Sequence, residues 1–432
     1  MRISRKPTIL IVCDYFTPAY KAGGPPRSIS NLIEQTSDLF SFRVVTRDRD
    51  LSDRVPFPNC KSGSWQRMHG AEVLYLPPDR VNFRTFRSIL RETPYDVLYL
   101  NSFFSPRFTI LPLALRRLRL VPWRPLVLAP RGELSAGALG LKRWKKWAFI
   151  QFARMTKLYG DVLWQASSEY EEASIRNVFG LAASVRIAPN LRNHLAKEDF
   201  RETVCHKAAG SLSVVFLSRI SRKKNLDGAL RMLARQKGQI EFHIYGPRED
   251  GDYWNHCLRL IESMPLNIRV FDHGAADPDT VLSVFQRHHV FLLPTLGENF
   301  GFVILESLAA GCPVLISDQT PWRNLESKGV GWDLPLEPSS RFDHVLQQCV
   351  EMDDDAFQRL SQAAARFGRS QILDPSVPRK NCLLFQEASN KGRDAVIPSS
   401  SSLDSSEKQS AFKLRGPHTQ LGSATAHRSR GG

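Results

Sequence analysis

No apolar run among the 432 residues approaches the roughly 18 that a membrane-spanning helix requires. The stretch behind the basic start Met1-Arg2-Ile3-Ser4-Arg5-Lys6 runs only from Ile9 to Cys13, too short for a signal peptide. The seven cysteines (13, 60, 205, 257, 312, 349 and 382) are odd in number and form no Cys-x-x-Cys pair. That excludes a disulfide framework and a cysteine metal site, and it suits a reducing compartment. Acid is scarce early: residues 1–200 hold 31 Lys and Arg against 17 Asp and Glu, leaving residues 201–432 only 2 of the net charge of +16. The first half is therefore the part expected to meet an anion. Zinc-finger spacing, an aromatic ribonucleoprotein signature and a helix-turn-helix are all missing, so that anion is not expected to be a nucleic acid. A membrane surface or a phosphorylated acceptor remains. The expectation is a cytoplasmic protein, peripheral at most, at the inner face of the cell membrane.

What is present is a repeated strand–helix pattern. Thr8 to Cys13 reads as a buried parallel strand, followed by a loop through Gly23-Gly24-Pro25-Pro26-Arg27 and a helix from Ser28. Further strands are expected at Phe42–Thr46, Glu72–Leu76, Val97–Asn101, Leu126–Ala129 and Val162–Ala166, with helices between, as at Phe83–Glu92 and Pro112–Leu120. The pattern restarts after a polar stretch, Arg192 to Ser211. Its strands are expected at Val214–Ser218, Ile240–Tyr245, Ile268–Asp272, Val290–Leu293 and Val314–Ser317. Two doubly wound Rossmann-like units follow, drawn at 1–193 and 194–387, with ligands outside the carboxyl ends of the strands. Residues 388–432, rich in Ser, Lys and Gly, read as a disordered tail.

The most specific stretch is Pro294 to Asp318, which carries Gly297-Glu298-Asn299-Phe300-Gly301, then Glu306, then Ala310-Gly311-Cys312-Pro313-Val314. It reads as strand, tight loop, helix and strand. A helix N-terminus offers unpaired N–H groups and partial positive charge to a phosphate or sugar hydroxyl. Glu306 lies about 9 Å along that helix from Phe300 at 1.5 Å per residue, so the two carboxylates can serve opposite ends of one sugar nucleotide. Earlier, Arg219 leaves the end of a strand and Lys224 follows five residues on, before a helix. Arginine grips a phosphate bidentately and lysine as a point charge. Gly23-Gly24 is either a plain turn or a loop whose N–H groups face an anion.

This block resembles the E-x7-E signature of the retaining glycosyltransferases of family four, whose fold is GT-B. Similar segments extend from residue 8 to about 387, including Trp164 to Glu169, Tyr245-Gly246-Pro247 and Gly331-Trp332-Asp333. Within the family the chain looks most like bacterial enzymes of surface-polysaccharide synthesis. The resemblance implies transfer of a hexose from a nucleotide diphosphate sugar to a hydroxyl of a saccharide, lipid-linked given the basic first domain. It makes Arg219 and Lys224 a diphosphate clamp, Glu306 the ribose contact, and Glu298 the neighbour of the transferred sugar. Gly23, Gly24 and the backbone of Asn299, Phe300 and Gly301 complete the donor site. No cofactor is implied and no metal, because these charges and the helix end stabilise the leaving diphosphate. Asp48-Arg49-Asp50 has metal-motif spacing but lies in a basic loop.

One departure stands out. Relatives place a histidine in the first domain near the reacting carbon, and here His69, in a polar stretch, is the only one before His194. Ser105-Pro106-Arg107 and Arg131-Gly132-Glu133 follow apolar strands and are expected to face the cleft. Arg131 and Glu133 are the candidates for acceptor contact, the alternative being a structural turn. Leu139 to Leu158 alternates Trp144, Trp147 and Phe152 with Lys142, Arg143, Lys145 and Lys146, as an anionic membrane surface would require, or as a helix with a core stripe would show. The alternatives to a transferase are a non-catalytic GT-B partner subunit and a GT-B epimerase or phosphorylase.

Overall fold

The computed structural model describes residues 5–140, 143–192 and 205–394. The first sheet has strands β1 (Thr8–Val12), β2 (Ser41–Arg47), β3 (Trp65–Met68), β4 (Ala71–Leu76), β5 (Val97–Asn101), β6 (Leu126–Ala129), β7 (Leu163–Ala166) and β8 (Val185–Ile187). Its order is β3-β4-β2-β1-β5-β6-β7-β8, parallel except for the edge pair β3–β4. The helices around it are α1 (Gly24–Thr36), α2 (Phe83–Glu92), α3 (Leu111–Arg117), α4 (Ala136–Gly140), α5 (Arg143–Met155) and α6 (Glu169–Phe179).

The second sheet has β9 (Ser211–Leu217), β10 (Gln239–Tyr245), β11 (Ile268–Asp272), β12 (Val290–Leu293), β13 (Val314–Ser317) and β14 (Gly331–Leu334). All are parallel, in the order β11-β10-β9-β12-β13-β14. Helices α7 (Leu226–Leu233), α8 (Gly251–Glu262), α9 (Val281–Phe285), α10 (Phe302–Ala309), α11 (Ser340–Glu351), α12 (Asp354–Ile372) and α13 (Ser376–Asp394) follow. These two doubly wound sheets are the GT-B architecture.

Strand alternation explains the layering. On β1, Leu10 and Val12 pack with α2, α3, α5 and α6 side chains, while Ile9 and Ile11 pack with α1. Both faces are covered, so the strands read as continuous apolar runs. Helix α13 returns to the α1 face, where Val377, Leu384, Phe385 and Ala388 join the first domain's core.

Several expectations change. Helix α1 begins at Gly24 rather than Ser28, because Pro25 and Pro26 fall in the first turn, where a missing N–H costs nothing. Strands β3, β8 and β14 were not foreseen; each is short and at or next to a sheet edge. Residues 388–394, expected in the tail, are the last turns of α13, with Ala388 buried. The rest of the tail, and the 193/194 boundary, lie outside the described residues. No helix among the described residues is long and apolar enough to cross a membrane.

Candidate functional site

The carboxyl ends of β9 and β12 carry the charges singled out in the sequence. Arg219 follows β9, and Arg222–Lys224 form one 3-10 turn before α7. The Lys224 ammonium forms an ion pair with the Glu298 carboxylate, both nearly buried. Arg219 pairs with Glu249 at 3.1 Å and Arg222 with Asp250 at 3.6 Å. The 295–301 loop is pinned from both sides. Leu296 N–H and the Thr295 hydroxyl donate to the Lys223 carbonyl, and Glu298 N–H donates to the Gln319 carbonyl at 2.9 Å. Trp322 Nε1 donates to the Phe300 carbonyl at 2.6 Å, and Gly301, with φ of 74°, turns the chain into α10. Glu306 is in the second turn of that helix, eight residues after Glu298.

The first domain meets this surface directly. Gly23 caps α1 with φ of 82°, a conformation that favours glycine, and a Cβ there would stand 3.7 Å from Arg219 Nε. A Cβ on Gly24 would meet the Phe302 ring at 3.4 Å. Asp50 holds the approach to this loop by accepting from Tyr20 and Lys21 N–H groups. Asp48 is buried, accepting from Arg49 and from the Ser62 hydroxyl. The Asp-x-Asp spacing is thus loop architecture. Arg27, one turn into α1, reaches across to Glu306 with Nη2–Oε1 at 2.8 Å. Asn299 packs on Gly132, where a Cβ would come within 2.7 Å, and its Oδ1 accepts from the Ser167 hydroxyl at 3.1 Å. Contacts between the domains thus bring Gly23 to Arg219, Gly24 to Phe302, Arg27 to Glu306 and Gly132 to Asn299, so the Gly23-Gly24 loop, the Arg219–Lys224 turn and the 298–306 block lie at one junction.

Arg131 and Glu133 are placed differently from the expectation of acceptor contact. The Arg131 guanidinium is spent on Asn101, Asn190 and Tyr99 of its own domain, and its φ is 55°. Glu133 accepts from Phe103 and Phe104 N–H groups at 2.6 and 2.8 Å and from the Ser102 hydroxyl at 2.9 Å. Burial pushes its pKa above the usual carboxylate value, and those donors work against the rise. Both residues shape the turns they sit in. Arg107 likewise donates to the Val81 carbonyl.

Sequence reasoning missed Glu171. Fully buried, it accepts from Gly132 N–H, Ser167 N–H and the Ser167 hydroxyl, and so holds both groups that touch Asn299. The Ser168-x-x-Glu171 spacing marks a capping box at the start of α6, but the bond to Gly132 N–H comes from another loop and carries no sequence signal. Lys223 borders Gly297, where a Cβ would stand 3.6 Å from its Cε and 3.9 Å from the Ser135 hydroxyl. Burial pulls its ammonium below the ordinary lysine value; Glu298 opposes this, and Lys224 and Arg219 add to it.

His69 lies in the β3–β4 turn with φ of 48°, and no contact of its ring with the cleft residues supports a role there. On α5, Ile150 and Ala153 are buried, whereas Trp144, Trp147, Phe152 and Met155 are 59–84% exposed. Of the aromatic residues of that helix, Phe149 packs against the core at Phe103, and Trp144, Trp147 and Phe152 do not belong to the core stripe. Lys142 lies outside the described residues. Among the described residues no three His, Cys, Asp or Glu side chains are grouped to hold a metal ion.

Residues 204–337 match the family described as glycosyl transferases group 1. The phosphatidylinositol N-acetylglucosaminyltransferase gpi3 subunit of Schizosaccharomyces pombe is 29% identical over 71% of the chain and 64% of that protein. The alpha-galactosylglucosyldiacylglycerol synthase of Streptococcus pneumoniae is 28% identical over 24% of the chain and 28% of that protein. The chain thus spans less than two thirds of the length of these curated relatives. Among solved structures, Anabaena HepE in complex with UDP and glucose superposes with a TM-score of 0.62 at 18% identity, over 89% of this chain and all of that one. Sucrose-phosphate synthase from Thermosynechococcus elongatus does so at 0.66 and 17%, over 89% and 99%.

Proposed function

From a second domain that belongs to the glycosyl transferases group 1 family, within a GT-B fold, we propose a retaining hexosyltransferase that uses a nucleotide diphosphate sugar. One observation carries the reading: Glu298, Glu306, Arg219, Lys224 and the Gly23-Gly24 loop, scattered over nearly 300 residues, come together at a single junction of the two domains. Glu306 takes the ribose hydroxyls and Glu298 the transferred sugar. Breaking the sugar–phosphate bond develops negative charge on the diphosphate. Arg219, Lys224 and the N-terminus of α10 are set to receive it without a metal ion. Glu133 is committed to three donors, which favours a reaction driven by positioning and leaving-group stabilisation over one with an enzyme nucleophile.

The acceptor in this reading is a lipid-linked saccharide of surface-polysaccharide synthesis. Two features support it. Helix α5 turns two tryptophans, a phenylalanine and basic side chains outward, and a helix of that kind lies well in an anionic membrane interface. Two relatives are also named for lipid-linked reactions, on phosphatidylinositol and a diacylglycerol glycolipid. The protein would then work at the cytoplasmic face of a membrane.

A thermal-shift and hydrolysis screen of UDP-, GDP-, ADP- and TDP-sugars in the presence of EDTA tests the donor site. One base should stabilise the wild type, by about 2.7 kcal/mol at a hundredfold excess over Kd, and Glu306→Ala should abolish the shift. Turnover lost on adding EDTA would overturn metal independence. No shift with any nucleotide sugar would favour the non-catalytic partner subunit instead.

A further inference from the structure

Glu306, the residue read above as the ribose contact, already has a partner from the opposite domain. Arg27 Nη2 donates to Glu306 Oε1 at 2.8 Å, and the guanidinium carbon lies 5.9 Å from the centre of the Phe302 ring. Arg27 stands in the first turn of α1, beside the Gly23-Gly24 loop, and its side chain is 44% exposed, whereas that of Glu306 is only 14% exposed. A carboxylate so enclosed is costly without a donor, and here the guanidinium supplies one. Ribose hydroxyls would supply equivalent donors. A hydroxyl that approaches Oε1 from the side of α1 meets the guanidinium there, so the two compete for that side of the carboxylate.

We propose that Arg27 is a ribose stand-in: its ion pair holds the Glu306 carboxylate, and a nucleotide must displace it to bind. This rests on the donor-site reading and deepens it. Apparent affinity is then the intrinsic affinity reduced by the fraction of molecules whose Glu306 is free. Removing Arg27 tightens binding of any ligand that uses the ribose hydroxyls and leaves a ligand without them unchanged. The ion pair also ties the domains, so ribose binding releases a link between α1 and α10.

The experiment is calorimetric titration of wild type, Arg27→Ala and Arg27→Lys with two probes. One is the nucleoside diphosphate selected by the donor screen; the other is its 2′,3′-dideoxy counterpart. Arg27→Ala should bind the ribonucleotide about threefold to tenfold more tightly, with the dideoxy probe unchanged within about twofold, and Arg27→Lys should fall between. Thermal melting checks folding, and the exposed position of Arg27 makes a loss of fold a result against the proposal. Equal effects on both probes, or weaker ribonucleotide binding, would overturn the stand-in while leaving the donor site intact. Failure of the wild type to bind any nucleotide would remove the donor reading and the competition together.

Discussion

His288 shows how a single side chain sets the acid limit of the second domain. Its Nδ1 bonds the Val284 carbonyl at 2.6 Å, and its ring packs edge-on against His243, which itself bonds His273 at 3.0 Å. Burial pushes His288 down to about 4; the Val284 carbonyl works against this, and His243, Arg287 and His289 add to the lowering. The folded state therefore refuses a proton that the unfolded chain accepts at about 6.5. Stability is complete above pH 6.5 and falls as the pH drops through that window toward 4, by at most about 3 kcal/mol. His288→Asn places an amide where Nδ1–H now bonds. The difference in Tm between pH 7 and pH 4.5 should shrink in that variant, while His243 and His289, also lowered by burial, keep part of the slope. An unchanged slope would show that the loss arises elsewhere.

Among the elements, α5 divides its work by face. Ile150 and Ala153 hold it to the first sheet, and Trp144, Trp147, Phe152 and Met155 leave large apolar surface in water. Exposed area of that kind does not stabilise the fold, so the double change Trp144→Ser, Trp147→Ser should leave Tm almost unmoved. Membrane affinity on vesicles rich in anionic lipid at low salt should fall about thirtyfold or more, since each of the two buried tryptophans contributes on the order of 1–2 kcal/mol at an interface. Equal retention of variant and wild type would end the membrane reading. Helical periodicity was legible in residues 139–158; which stripe faces the core was not. Tryptophan and lysine alternate there, and only the packing of Ile150 against the sheet decides it.

For the whole molecule, the last described helix ties the chain back to its beginning. Phe385 is fully buried, edge-on to Phe40 at 5.9 Å and to Tyr99 at 5.1 Å, and Asn381 bonds the Pro189 carbonyl. Phe385→Ala should destabilise the first domain by about 3–5 kcal/mol, measured by urea unfolding followed at the first domain's tryptophans. A loss confined to the second domain would contradict this packing. The expected tail began too early for a related reason. Residues 388–394 look polar because only a narrow stripe of α13 is buried, and that stripe depends on a partner nearly 300 residues away.

By itself the sequence determined the two largely parallel sheets, most strand ends and the strand–loop–helix–strand block around Glu298 and Glu306, since each is written in contiguous apolar runs and closely spaced glycines, carboxylates and cations. Local backbone preference and burial period suffice for such features. Only the tertiary structure decided that Arg131 and Glu133 serve their own turns, that Glu171 holds Gly132 and Ser167 against Asn299, and that Arg27 rests on Glu306. Those outcomes depend on which residues distant loops bring within about 3 Å of each other, and hydrogen-bond geometry at that range leaves no trace in sequence spacing.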